Sequence, residues 1–116
     1  MKKLLLALCL FASRDALAVS GNFLMEGLKK DQIYENQRAL PTKPDALDIG
    51  FANGFVAGVM FSLQHNDPEV CLPSGHNLRQ LMAVALSYFE NNPAKLHRPA
   101  AILVREAAIQ AFPCKR

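Results

Sequence analysis

The chain has 116 residues, with 13 Lys+Arg, 10 Asp+Glu and three Cys. At about 150 residues per domain this is a single domain. An apolar content of 51%, with only 6 Gly and 7 Pro, excludes a disordered or collagen-like chain. Most of the formal charge of +3 sits at the start: residues 1–18 hold Lys2, Lys3 and Arg14 against Asp15, leaving 10 basic and 9 acidic residues beyond them. A body of net charge +1 has no electrostatic reason to bind nucleic acid or an anionic membrane.

The first 18 residues have the three-part layout of a secretory signal peptide. Met1-Lys2-Lys3 is basic, 4–12 is an unbroken apolar run, and Ala16-Leu17-Ala18 supplies small residues for cleavage after Ala18. The run is too short to span a bilayer, which takes about 20 apolar residues, so no stable membrane anchor is expected. Cys9 lies within the run and not before a cleavage point, which argues against lipidation. The expected destination is the periplasm, and the expected mature domain is 19–116. That domain keeps two cysteines, Cys71 and Cys114. An even count in an exported chain reads as a disulfide, with two independent buried thiols as the alternative.

The mature chain reads as a small all-α bundle of four helices, with no useful strand alternation. The first starts near Asn22 as its cap, uses Phe23, Leu24 and Leu28 as its apolar side, and fades by Lys30. Residues 31–44 are polar and contain Pro41 and Pro44, which predicts a connection with at most a fifth, short helical turn at 33–40. The second helix spans 45–64, with Pro44 and Asp45 suited to a first turn. Gly50, Gly54 and Gly58 recur every fourth residue along it. Each costs about 1 kcal/mol against Ala, so the stripe predicts helix packing at close range. A membrane-type glycine interface is the alternative. Phe51, Phe55 and Val59 lie beside it.

His65-Asn66-Asp67-Pro68 ends that helix. The third begins after Asn77, with Gln80 placed to complete a capping box. Leu78, Leu81, Met82, Ala85 and Phe89 form its buried face, and Asn91-Asn92-Pro93 stops it. The fourth spans 99–113, with Ala101, Val104, Ala108 and Phe112 as its core stripe. Ile102 and Ile109 flank the polar side, where they suit either a second chain or ordinary surface.

The chain offers little recognisable chemistry. His65, His76 and His97 share no ligand spacing, so neither a metal nor another cofactor is expected. A bridged cysteine is no nucleophile, and no serine sits in a nucleophile elbow. No glycine-rich phosphate loop follows a strand. The expectation is a protein that acts by contact and is not an enzyme.

The C-terminal half carries Cys71-Leu72-Pro73-Ser74-Gly75, Leu81, Tyr88-Phe89, Asn92-Pro93, His97-Arg98-Pro99-Ala100-Ala101 and Ala111-Phe112-Pro113-Cys114. In order and spacing it resembles the Tai family of type VI secretion amidase-immunity proteins. Ser20-Gly21-Asn22-Phe23-Leu24 and Gly54-Phe55-Val56-Ala57-Gly58 resemble the family's first and second helices. The resemblance implies a helical, periplasmic, often homodimeric toxin inhibitor whose partner is a cognate peptidoglycan amidase. The family commonly has a second cysteine pair joining its first two helices. Here those regions read Glu26-Gly27-Leu28-Lys29 and Phe51-Ala52-Asn53-Gly54, so both partners are absent together. Blocking the amidase groove would fall to His65, Asn66, Asp67 and Glu69, or to the turn holding Asn91, Asn92 and His97. Two other functions fit the composition: a periplasmic helper such as an HdeA-like acid-stress chaperone, or an orphan envelope-binding domain.

Overall fold

The computed structural model describes residues 18–115. The expected signal segment and Cys9 lie outside the described residues, apart from Ala18.

Among the described residues four α-helices follow one another: α1 (Gly21–Gln37), α2 (Lys43–Asn66), α3 (Leu78–Asn91) and α4 (Ala100–Ala111). A single 3₁₀ turn, Pro93–Lys95, lies between α3 and α4. Helix α1 starts earlier than expected, because Ser20 is the cap: its hydroxyl accepts from the Phe23 N–H. It also runs seven residues past Lys30, because polar contacts to α2 replace apolar periodicity there. Lys30 Nζ donates to Asp48 at 2.6 Å, and Tyr34 Oη to Asp45 at 2.6 Å. Asn53 Nδ2 donates to Asp31 at 3.1 Å. Arg38, at φ 51°, ends α1 in the left-handed conformation.

Thr42 caps α2 by accepting from the Asp45 N–H. Asn77 caps α3 as expected, its Oδ1 accepting from Gln80 N–H at 2.9 Å. The core gathers one stripe from each helix: Leu24 and Leu28, then Ala52, Val56 and Met60, then Leu81, Ala85 and Phe89, then Leu103, Val104 and Ala108. Several expected core positions move. Leu78 and Phe23 are each 54% exposed, Ala101 is exposed, and Ala100, Leu103 and Ala107 take its place inward.

The expected packing at Gly50, Gly54 and Gly58 is corrected. All three are exposed, and a methyl group built on any of them meets nothing within 4 Å. The close helix approach is at Gly27, where an added Cβ would lie 2.7 Å from Ala52 Cβ and 2.7 Å from the Asp48 carbonyl oxygen.

Cys71 and Cys114 form a disulfide, with Cα atoms 4.9 Å apart. Around it, Cys71 N–H donates to Phe112 O at 2.9 Å and Cys114 N–H to Glu69 O at 3.2 Å. Val70 and Pro113 pair as an isolated antiparallel bridge. The bridge therefore ties the end of α4 to the segment leading into α3.

Candidate functional site

The loop leaving α2 is braced on three sides. Its first turn is closed by Asp67 N–H donating to Leu63 O at 2.7 Å. Asp67 then uses both carboxylate oxygens inside the chain: Oδ1 accepts from Glu69 N–H at 2.9 Å, and Oδ2 from Arg105 Nε at 2.7 Å. Arg105 also reaches Glu69 through Nη2 at 2.8 Å. One guanidinium on α4 thus clamps both acidic residues, next to the disulfide. The Glu69 N–H and the Arg105 guanidinium hold the Asp67 carboxyl below the ordinary carboxylate range.

This geometry sorts the expected contact residues. His65 and Asn66 lie in the last turn of α2, which runs two residues further than expected, and are exposed, with His65 Nδ1 near Phe61 O at 2.8 Å and Asn66 Nδ2 donating to Ser62 O at 2.9 Å. Glu69 is half exposed beside its arginine. Asp67 faces inward, its side chain 11% exposed, and works as a brace.

The second expected segment lies elsewhere. Asn91 is exposed and Asn92 partly buried, its Nδ2 donating to Tyr88 O at 2.8 Å. His97 is exposed. This turn leads into α4 and is tied to the start of α1: Gly21 N–H donates to Arg98 O at 3.0 Å, and Ser20 pairs with Pro99. The 67–71 loop is tied to the other end of α4, at Phe112–Cys114. Twelve helical residues separate the two ends, about 18 Å of rise. The expected residues form two separate surfaces.

Under the Asn91–Arg98 turn lies a polar hub that the sequence did not advertise. Glu106 on α4 accepts from Tyr88 Oη and from Arg98 Nη1 at 2.9 Å, with Lys95 Nζ at 3.5 Å. The Tyr88 hydrogen bond first, and Arg98 after it, hold the Glu106 carboxyl low against the opposing effect of burial. Burial first, and then the same carboxylate, push the Tyr88 phenol up. The hydrogen-bonded pairs are 7 to 18 positions apart, so no local motif exposes them.

Two grooves flank α3. One, of about 450 Å³, runs between α3 and α4 over Ala83, Val84 and Ala107, with Ser87, Asn91 and Asn92 on its edge. The other, of about 270 Å³, lies where α1, α2 and α3 meet. Along α1 and α2 there is also an apolar face: Phe23 at 54%, Leu47 at 75%, Phe51 at 45% and Phe61 at 40% exposure. Phe23 meets Phe51 edge-on with ring centres 5.7 Å apart. Among the described residues, α2 is the one helix long and apolar enough to cross a membrane, and only 22% of its most apolar window is buried.

Over the described residues, fold and surfaces together define a four-helix, disulfide-stapled protein whose shaped features are a braced loop, two grooves and an exposed apolar face. A family model described as Rap1a immunity proteins matches residues 5–114, and the chain belongs to that family. No curated protein and no solved structure matched it.

Proposed function

We propose that this protein is a periplasmic immunity protein of the Tai type, a non-enzymatic inhibitor that blocks a peptidoglycan amidase delivered by type VI secretion. The braced loop after α2 carries this reading. A plug that denies substrate access must keep its shape, because ordering a loose loop on binding costs affinity. Residues 67–71 are held by the Arg105 clamp, the backbone bonds to Phe112 and Cys114, and the disulfide. His65, Asn66 and the outer edge of Glu69 are the contacts presented to the enzyme. The Asn91–His97 turn is a second contact surface on the same partner. The disulfide supports an oxidising compartment.

The assay is peptidoglycan hydrolysis by the amidase encoded beside this chain, with and without the oxidised protein. Stoichiometric inhibition, lost on paired His65→Ala and Asn66→Ala substitution, is expected. Undiminished hydrolysis at excess protein, with unchanged survival of a deletion strain under attack, refutes the reading.

The apolar face of α1 and α2 supports a homodimer. Glycines at 50, 54 and 58 let a second backbone come close, while Phe23, Phe51 and Phe61 supply area beside them. Sedimentation of the wild type as a dimer and of Gly54→Leu as a monomer is the expected result. A monomeric wild type at high micromolar concentration overturns it, and binding to liposomes would give the face to a bilayer instead.

A further inference from the structure

The turn between α1 and α2 carries the most exposed large hydrophobic residue of the described chain. Leu40 is 93% exposed, against 75% for Leu47, the next in order. A lone surface leucine is ordinary, but this one stands on a turn fixed from both sides. Arg38 closes α1 at φ 51°, the one non-glycine residue at positive φ among those described. Glycine is the usual residue there, because a side chain is strained in that region. Arg38 N–H donates to Glu35 O and Ala39 N–H to Tyr34 O, each at 3.1 Å. Pro41 keeps Leu40 out of helical backbone. Thr42 then starts α2, its hydroxyl accepting from Asp45 N–H at 3.4 Å. One turn further in, Tyr34 and Lys30 of α1 both bind Asp45 of α2.

The charges add a direction. Residues 36–44 hold two cations, Arg38 and Lys43, and no carboxylate. Both cations are exposed, and neither has an ion-pair partner among the described residues. The flanking carboxylates are taken: Glu35 by Arg79 at 2.6 Å, and Asp45 by Tyr34 and Lys30.

We infer that this apex is a docking knob: Leu40 enters an apolar pocket of another protein, and carboxylates on the rim of that pocket pair with Arg38 and Lys43. Rim charges set orientation and association rate, and a knob that is already fixed gives up little freedom on binding. A lipid surface would take a loose apolar loop equally well, so the fixed turn favours a shaped protein pocket. Helix α2 rises about 36 Å over its 24 residues. The apex is therefore remote from the braced loop at 67–71, and both can be engaged at once. The inference stands independently of the immunity reading.

The test is site-specific photocrosslinking followed by measured affinity. A benzophenone amino acid replaces Leu40 or, as a control, the exposed Glu90 of α3, in the cells that make the protein. A protein adduct from position 40 that is absent from position 90 is expected. That protein, once purified, is titrated by calorimetry. Leu40→Ala should weaken binding about tenfold or more, while Leu40→Met should stay within about threefold of wild type. Arg38→Gly combined with Lys43→Gln, which keeps the left-handed turn, should weaken binding several-fold, a difference that fades at about 0.5 M salt. Leu40→Ala should melt with the wild type, because the side chain it removes is in water. No adduct from position 40, an adduct with a second copy of this chain, equal affinity of Leu40→Ala, or indifference to removal of the two charges overturns the assignment. So does binding to vesicles of phosphatidylethanolamine and phosphatidylglycerol that Leu40→Ala abolishes, which gives the apex to a membrane.

Discussion

Replacing Gly27 and Gly54 by alanine, one at a time, should shift stability in opposite directions. At Gly27 the new methyl carbon would stand 2.7 Å from Ala52 Cβ and 2.7 Å from the Asp48 carbonyl oxygen. Carbon atoms rest about 3.5–4.0 Å apart, so α1 and α2 must part by roughly 1 Å. Neither obstacle is the far end of a flexible side chain, and the gap cannot open by a rotamer change. Overpacking of this kind costs about 1–3 kcal/mol, against about 0.8–1.0 kcal/mol regained from helix propensity. The expected net loss is up to about 2 kcal/mol. At Gly54 the methyl meets nothing within 4 Å, and only the propensity gain remains, about 0.5–1 kcal/mol of added stability. For a domain this size each kcal/mol moves the melting temperature by about 4–8 °C. Urea unfolding at low micromolar concentration, where a weak dimer is dissociated, separates the two effects. A Gly27→Ala protein as stable as wild type, or a destabilised Gly54→Ala monomer, would refute the assignment of the close approach.

Reducing the disulfide releases a loop with a sequence separation of 43, so the chain-entropy model gives a stability loss of about 4 kcal/mol, measurable by urea unfolding with and without reductant. The pH profile follows from ion pairs. The Asp45, Asp67 and Glu106 carboxyls are all held low, so the unfolded chain binds protons first. Their stabilisation is present above the unfolded carboxylate range and is lost as pH falls through the lowered folded values. Lys30, next to Asp48 and Asp45, and Lys95, next to Tyr88 and Glu106, are raised. Their contribution is complete below the unfolded lysine value and fades as pH rises through the folded one. Melting temperature should therefore plateau between about pH 5 and 9.5 and fall on both sides; a maximum near pH 3 would contradict the pairing. Arg105→Ala should leave the helices folded but speed amide exchange at Glu69 and weaken amidase inhibition, since Asp67 and Glu69 lose their common partner.

What the sequence made legible was whatever repeats at short range. Asn77 ahead of a run with apolar residues at steps of three and four marked α3, and Pro44-Asp45 marked the first turn of α2. The second half of α1 was invisible, because Lys30, Asp31 and Tyr34 are held by Asp48, Asn53 and Asp45 across a gap of 11 to 22 residues. The Arg105 clamp and the Glu106 hub escaped for the same reason. Asp67 was rightly placed on a loop, but no sequence pattern says whether a loop carboxylate faces out or is used up by an arginine 38 residues away. The glycine stripe was misassigned because periodicity reports that small residues share a face, not which body meets it.

That misassignment bears on α2 itself. A helix apolar on all sides belongs inside a large core or a membrane, yet this one buries only Ala52, Val56 and Met60, a single stripe at steps of four. Of the other described helices, α1 lends that opposite side Phe23, while the core stripes of α1, α3 and α4 meet on the inner side. Among the described residues no second layer covers it, so Leu47, Phe51 and Phe61 are exposed. Burying such apolar area stabilises at about 25 cal/mol per Å², and the open glycines between the aromatic rings let a facing helix approach without clash. The same features that made α2 look like an interior helix thus favour an intermolecular one, and a dimer formed through it leaves the loop at its C-terminal end clear for the partner proposed above.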